Sequence, residues 1–316
     1  MGEYKEPPTY KELAEVERYD ESCVPGRAWH SFNPLNCNAF HEIESGMSVD
    51  EGNGNRIKFL DHGGRRDAWE LDRIIPQEEE TEQIILKTLR WDQPYSENFF
   101  DNQRRDALAL ERLTDSPHVI DVFGYCGMST LNEFAGNGNL FKYLRDHKDV
   151  ESTDLLVYAR NISMGLADIH EIDIDHPDDD ASDYVSPMPP EMPTLLHYDF
   201  RHHNMLLTND GRVKVSDFNI AQLLRWDTSK NETCGYWWYR VCGKTIWGTD
   251  RAPEECVEKD ERTQSLTHKT EVYHLGALTS SCQGRSIHSS RNSTRISSCW
   301  RARMIQSTIC SRHHRK

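Results

Sequence analysis

Residues 197–219 read HYDFRHHNMLLTNDGRVKVSDFN, so that an aspartate (Asp199), an asparagine five positions on (Asn204) and a second aspartate (Asp217) surround one short hairpin. Moving a phosphoryl group requires something to orient the attacking hydroxyl and oxygen ligands to hold Mg2+, with little covalent chemistry left for the protein. Asp199 suits the first task, and Asn204 and Asp217 suit the second. Val213 and Val215 alternate with polar neighbours after the turn residues Asn209, Asp210 and Gly211. A tight hairpin there carries Asn204 and Asp217 toward each other at its open end.

The spacing resembles the catalytic loop and magnesium motif of protein kinases, H-R-D-x-x-x-x-N followed by D-F-G. Upstream, Ile84, Ile85, Leu86 and Lys87 form an apolar run ending in a lysine, similar to the V-A-I-K strand. Downstream, Ala252, Pro253 and Glu254 resemble A-P-E, and Glu271, Val272, Tyr273, His274, Leu275 and Gly276 resemble D-V-Y-S-L-G. The motifs keep the family's order. The resemblance implies an α+β, bilobal protein kinase-like fold, with a small antiparallel-sheet N-lobe and a mainly helical, truncated C-lobe. It divides the chain into a polar extension (1–55), an N-lobe with hinge (56–135), a partial C-lobe (136–276) and a tail (277–316).

It also implies ATP and Mg2+ as cofactors and a protein hydroxyl as acceptor, serine or threonine ahead of tyrosine. Asp199 then orients the acceptor hydroxyl, Asn204 and Asp217 bind Mg2+, and Arg201 steadies the transferred phosphate. Arg201 stands where serine/threonine kinases usually carry lysine, and some tyrosine kinases carry arginine there. His197 and Phe218 are expected to pack with Leu110 and Val122 in a spine that aligns the lobes. Tyr198 replaces the arginine that clamps a phosphorylated activation loop in many relatives. Asn219 replaces the glycine of D-F-G and tolerates left-handed backbone at modest cost.

In the small lobe, Asp61, His62, Gly63, Gly64, Arg65 and Arg66 occupy the place of the glycine-rich phosphate loop. Gly63 matches the three-glycine pattern with Gly64 beside it, while Asp61 and Arg66 stand at glycine positions. Either Arg65 and Arg66 supply charge in place of backbone donors, or the segment is a plain hairpin. Lys87 is the expected grip on the nucleotide's α- and β-phosphates. In DNQRRDALALERL the positions Asp106, Leu110 and Leu113 mark one face of an amphipathic helix, which makes Asp106 the acid expected to hold Lys87. Aspartate is one methylene shorter than the family's glutamate, so the helix must move inward or a water must bridge; Glu111 is the alternative partner. Ala68 and Ile85 take the adenine-roof places of a valine and an alanine, a trade that keeps total volume. Glu133, Phe134 and Ala135 fit the hinge that offers backbone groups to adenine, with a helix following from Leu140, and Leu206 is expected beneath the base.

Residues 153–170 carry a helical period at Leu156, Ala159, Ile162, Gly165, Leu166 and Ile169, similar to the long core helix of the family's large lobe. Residues 171–193 then insert eight acids and five prolines without Lys or Arg. That composition reads as a solvated excursion, with docking of a basic partner as the alternative. Tyr236, Trp237, Trp238 and Tyr239 are expected to pack against the lobe or to form a peptide platform. Residues 1–55, with Pro7, Pro8, Pro25 and Pro34, read as a loosely packed extension. Residues 277–316 carry seven Arg, one Lys and no acid, and read as a disordered basic, Ser-rich tail, from a shifted frame or truncated gene model or as a nucleic-acid-binding tail.

A net charge of −15, concentrated before that tail, argues against a nucleic-acid substrate. No apolar stretch of membrane-spanning length and no signal core is visible, and Glu6 breaks the usual myristoylation pattern around Gly2. Nine cysteines without a C-x-x-C pair speak against zinc. Cys23 and Cys37 are placed to bridge in an oxidising compartment, and reduced thiols in the cytoplasm are the expectation. The sequon at Asn161 falls inside a helical pattern where a glycan would disturb packing. Two further readings remain: a pseudokinase binding scaffold, suggested by the degraded loop and Asp106, and a small-molecule phosphotransferase of related fold, against which the A-P-E and E-V-Y-H-L-G matches speak.

Overall fold

The computed structural model describes residues 22–32, 37, 38, 40, 57–75, 80–173, 185–234, 251–256 and 267–283. In chain order the elements are β1 (Cys23–Pro25), a 3-10 turn (Ala28–Ser31), β2 (Lys58–His62), β3 (Arg66–Ile75), β4 (Glu80–Leu89), helix α1 (Glu97–Arg112), β5 (Val122–Cys126), β6 (Ser129–Glu133), α2 (Leu140–Asp146) and α3 (Ser152–His170). There follow β7 (Leu195–Leu196), β8 (Met205–Leu207), β9 (Val213–Val215), β10 (Gln222–Leu223), β11 (Arg225–Asp227), β12 (Glu232–Thr233), a 3-10 turn (Pro253–Cys256) and α4 (Lys269–Gln283).

The small lobe is a five-stranded antiparallel sheet in the order β2-β3-β4-β6-β5. Its register sorts side chains by face, because alternate residues of a strand point to opposite sides. Leu71 pairs with Ile84, and Leu86 with Leu131. Leu71, Ile84 and Leu131 are buried together on one face, with Leu86 and Phe123 packed against them. Ala68 pairs with Lys87, Ile85 with Asn132 and Lys87 with Thr130, which sets Arg66, Ala68, Ile85, Lys87, Thr130 and Asn132 on the other face. Helix α1 lies against that second face. Its Ser96 cap accepts a hydrogen bond from Phe99 N at 3.3 Å, satisfying one of the free donors at the helix start.

The larger part is built around α3, whose Tyr158, Ala159, Ile162, Leu166 and Ile169 are buried. Leu156, read as apolar face, is 56 % exposed, and the buried aromatic two residues on takes its place. A Cβ at Gly165 would come within 2.7 Å of Val215 Cγ2 and 3.1 Å of His118 O, so only glycine lets α3 lie this close to β9. Asn161 is buried and its Oδ1 accepts from Val213 N at 3.1 Å, a use that leaves no room for a glycan.

Three boundaries differ from the sequence reading. Part of the extension is built into the body: β1 pairs with β11, and Trp29 is 1 % exposed in the main core. Its Nε1 donates to Asp173 Oδ1 at 2.9 Å, and Arg27 Nε lies 3.2 Å from Asp173 Oδ2. The flanks of the acidic insertion are therefore structured, with Ile172 and Met188 buried as well; residues 174–184 lie outside the described residues. Helix α4 also runs on past Gly276, and Leu278 joins the core, so the large lobe does not stop at the last motif.

Cys23 is bonded to Cys234 and Cys37 to Cys126. The two cysteines read as partners of each other thus join the extension to the activation segment and to the small lobe. The aromatic run 236–239 lies outside the described residues.

Candidate active site

Hairpin β8–β9 pairs Met205 with Val215, and beyond it Ser216 N donates to Asn204 O at 2.9 Å. This closure brings Asn204 and Asp217 to the same end, as the alternation of Val213 and Val215 required. Asn139, the cap of α2, fixes the catalytic loop from below: its Nδ2 donates to His203 O at 2.6 Å and His202 O at 3.2 Å.

Asp199 is held from three sides. Asn204 Nδ2 donates to Asp199 O at 2.8 Å and to its Oδ2 at 3.0 Å. Arg201 Nε lies 2.9 Å and Arg251 Nη2 3.4 Å from Asp199 Oδ1. The turn before it is strained, because Tyr198 has φ 66°, a left-handed conformation that a non-glycine residue keeps only when its surroundings impose it. Glu271 supplies that imposition: its Oε1 accepts from Tyr198 N at 2.6 Å, and its Oε2 lies 2.9 Å from His170 Nε2. Burial works to raise the Glu271 carboxyl, but the His170 hydrogen bond and charge hold it below the usual carboxylate range. Arg251 Nη1 closes the turn by donating to Tyr198 O at 2.7 Å.

The left-handed residue of the second motif is Asp217, at φ 69°, and not Asn219, where the missing glycine suggested it. Asp217 thus turns its side chain into the cleft while Phe218 stays fully buried against His197, ring centroids 4.5 Å apart. His197 Nε2 lies 3.0 Å from Ser216 O. Leu110, Phe218 and Val122 belong to one apolar cluster, the stack expected between the lobes.

The nucleotide side of the cleft departs from expectation at Lys87. Among the described residues the Lys87 ammonium has no hydrogen bond or ion pair, and Asp106 is engaged elsewhere: its Oδ1 accepts from Phe218 N at 2.7 Å and its Oδ2 from Arg66 Nη1 at 2.8 Å. Arg66 Nη2 donates to Asp217 Oδ1 at 2.8 Å, and Nη1 also to Gln103 Oε1 at 2.8 Å. Burial, then the charge of Arg66, pushes the Lys87 ammonium below the usual lysine range. Burial would raise the Asp217 carboxyl, but the charges of Arg66 and Lys87 outweigh it and hold the group low. The bridge from Lys87 to Asp106 expected from the sequence is replaced by Arg66, and the signal for it was the arginine at a glycine position.

Around the cleft, Gly63 N donates to Arg66 O at 2.8 Å, and a Cβ at Gly63 would meet that oxygen at 2.9 Å. The phosphate-loop segment is therefore a tight turn that needs Gly63, whereas Gly64 has open space around it. Arg65 stacks on Phe99, 3.5 Å from the ring centroid, so the two arginines of the loop have separate tasks. Ala68 and Ile85 share the inner face of the sheet, and Leu206, half-buried on β8, lies in the lower lobe. At the hinge, Glu133 N donates to Asp121 O at 3.0 Å, and its carboxylate is tied to Lys214 Nζ at 2.6 Å. Ala135 O accepts from Gly138 N at 2.8 Å, while Ala135 N meets no acceptor among the described residues. Asn132, which the sequence reading passed over, is 1 % exposed and its amide meets no partner among the described residues.

The A-P-E segment is shifted by one residue in its function. Glu254 is exposed, and Glu255 is the buried acid: it accepts from Ala252 N at 2.8 Å and contacts Arg251 Nη1 at 3.2 Å and His274 Nε2 at 2.7 Å. An arginine ahead of the motif and a histidine from α4 are thus the charged groups that face Glu255 among the described residues.

A family profile described as protein tyrosine and serine/threonine kinase matches residues 63–182. Over that stretch and beyond, the chain is similar to members of the protein kinase superfamily. It is 26 % identical over 173 residues to the serine/threonine-protein kinases PknA of Corynebacterium glutamicum, covering 52 % of this chain and 31 % of that one. To the tyrosine-protein kinase ZAP-70 of Mus musculus it is 25 % identical over 180 residues, covering 56 % and 24 %. To the probable serine/threonine-protein kinase drkA of Dictyostelium discoideum it is 22 % identical over 250 residues, covering 78 % and 30 %. The chain thus spans under a third of the length of these kinases. The chain is thus similar to serine/threonine and to tyrosine kinases alike.

Kinases of this superfamily generally work with ATP and Mg2+, and the donor set here fits that metal. Asn204 uses its Nδ2 on Asp199 and keeps Oδ1 for a cation, and Asp217 keeps Oδ2. Two protein oxygens are what Mg2+ takes when substrate phosphates and water complete its octahedron.

Proposed function

We propose that this chain is an ATP- and Mg2+-dependent protein kinase that transfers the γ-phosphate of ATP to a protein hydroxyl, serine or threonine in preference to tyrosine. The observation that carries this reading is the three-sided hold on Asp199 by Asn204, Arg201 and Arg251. A carboxylate fixed this way, with its loop kept in strained backbone, is prepared to receive and orient a hydroxyl. Asn204 and Asp217 would hold Mg2+, whose charge would offset that of the phosphates. Arg201 stands beside Asp199 to steady the group in flight, and Ala135 N–H offers the hinge donor for the base. A basic docking partner for the acidic 171–193 segment and a cytoplasmic compartment belong to the same proposal. The latter requires both cystines to be reducible there.

Labelled-phosphate transfer from γ-labelled ATP to a Ser/Thr/Tyr peptide array tests it, comparing wild type with Asp199→Asn. Loss of a positioned base costs roughly 100- to 10,000-fold, so incorporation should fall at least 100-fold while Mg-ATP binding persists. Equal incorporation by both proteins would refute the assignment. A kinase-like scaffold without turnover is the second reading, favoured by the Arg66 hydrogen bond that takes Asp217 Oδ1. It expects wild type and variant to be equally inert.

A further inference from the structure

The cleft holds two cations where one is needed, and their surroundings differ. Lys87 lies on the inner face of β4, desolvated, with no acidic partner among the described residues. Arg66 lies diagonally opposite on the same face, since Ala68 pairs with Lys87 and Arg66 with Leu89. Its guanidinium joins three segments distant in sequence: Asp106 and Gln103 of α1, and Asp217 of the metal motif. Arg66 stands at a glycine position of the phosphate loop, and its guanidinium reaches from there to helix α1 and to Asp217.

Resting on the kinase reading, we propose that Arg66, and not Lys87, is the residue that grips the nucleotide's phosphates and couples that grip to the position of helix α1. Three features support it. A guanidinium has five N–H donors in a rigid fork, and the three hydrogen bonds to Gln103, Asp106 and Asp217 leave two, Nε–H and one Nη2–H, without an acceptor among the described residues. Two donors on one planar fork suit adjacent phosphate oxygens. Asp106 has both oxygens committed, to Arg66 and to Phe218 N, so the acid that would hold a gripping lysine in place is already used. And Lys87, on the inner face of β4 opposite Ala68 and Thr130, makes no side-chain hydrogen bond or ion pair among the described residues, so nothing there aims its ammonium at the phosphates.

The hydrogen bond from Arg66 to Asp217 then has a consequence for order of events. Asp217 would need that oxygen released to hold Mg2+, and the freed arm of the Arg66 guanidinium would then be open to a phosphate oxygen. The arm on Asp106 stays, so α1 remains tied to the nucleotide.

The test is equilibrium binding of Mg-ATP and of adenosine to the full chain and three variants, Arg66→Met, Arg66→Lys and Lys87→Met. Losing one hydrogen bond between charged groups corresponds to about 30-fold in affinity. Arg66→Met should weaken Mg-ATP by about 30-fold or more while adenosine affinity, which reports a folded hinge and cleft, changes little. Arg66→Lys should recover part of the loss, and Lys87→Met should change Mg-ATP affinity by less than about threefold. A large loss in Lys87→Met with Arg66→Met near wild type overturns the assignment and leaves the kinase reading standing. Wild type that binds Mg-ATP no better than adenosine overturns both. If Arg66→Met loses adenosine as well, Arg66→Lys decides: Mg-ATP affinity weakened selectively supports the proposal, and an unchanged ratio of Mg-ATP to adenosine affinity in it refutes the proposal.

Discussion

Replacing Glu271 by alanine probes how the catalytic turn is held. The carboxylate is fully buried, and it accepts from Tyr198 N at 2.6 Å while facing His170 Nε2 at 2.9 Å. Each hydrogen bond to a charged group contributes about 1.5–3 kcal/mol, and removing one member of a buried charged set costs about 3–5 kcal/mol because its partners stay behind. Tyr198 has a left-handed backbone at φ 66° that loses its constraint. Glu271→Ala should therefore lose about 4 kcal/mol, roughly 10 °C in Tm for a domain of this size. Glu271→Gln keeps an acceptor for Tyr198 N–H and should lose only about 1–2 kcal/mol. Chemical denaturation at pH 7 measures both. The pH dependence adds an independent check. Folding lowers the Glu271 carboxyl from its usual 4.5, so its contribution is present above that value and is lost as pH falls through the folded one. The acid limb of the wild-type stability profile should therefore be steeper than that of Glu271→Gln. A Glu271→Ala protein within 1 kcal/mol of wild type, or acid limbs that superimpose, would refute the argument that this carboxylate holds the turn.

Two further substitutions test specific packing claims. Glu255→Ala, which strips Arg251, His274 and Ala252 N of their shared acceptor, should cost about 3–5 kcal/mol, whereas exposed Glu254→Ala should stay within about 0.5 kcal/mol; equal effects in thermal melts would return the role to the motif's own glutamate. His30 is buried with neither ring nitrogen partnered among the described residues, and burial followed by the charges of Arg27, Arg104, Arg112 and Arg225 lowers it from 6.5 to about 3. The folded protein then refuses a proton that the unfolded chain accepts, so stability is full above 6.5 and declines as pH falls below it. At about 1.36 kcal/mol per pH unit, His30→Phe should flatten the profile between pH 6.5 and 5 by about 2 kcal/mol, and parallel profiles would show that His30 does not titrate as its burial requires.

The parts of this site that were legible in the sequence are those fixed by local spacing. Asn204 and Asp217 are brought together by a hairpin whose alternation and turn residues are contiguous, and the apolar periods of α1 and α3 are equally short-range. Trp29 is different. It sits in a turn-rich, polar window, and its burial depends on Asp173 and on a strand partner in β11 far along the chain, so no local pattern announces it. Glu255 was missed because a motif assigns a role by letter, while the role belongs to whichever acid the 3-10 turn points inward. The same holds for Asp217, which takes the left-handed backbone that the missing glycine had directed to Asn219.

Arg66 joins both kinds of reasoning. Its place on a glycine position was visible in the sequence, but its choice of partners depends on three elements meeting. Once they meet, the charges decide the outcome. Asp106 and Asp217 bring two negative charges into a cleft walled by a sheet and a helix, where unpaired charge is costly. A desolvated lysine on a flexible stem answers that demand less well than a planar fork that reaches both carboxylates at 2.8 Å. With Arg66 in place both carboxylates have a hydrogen-bonded cationic partner before any metal enters, so helix α1 is tied to the metal motif without a nucleotide. Asp217 would hold a metal only by giving up an arm of Arg66, since its carboxylate is not bare. That arrangement accounts at once for the shorter acid on α1, the missing glycine and the lysine without a partner, three departures from the family pattern that separately look like decay.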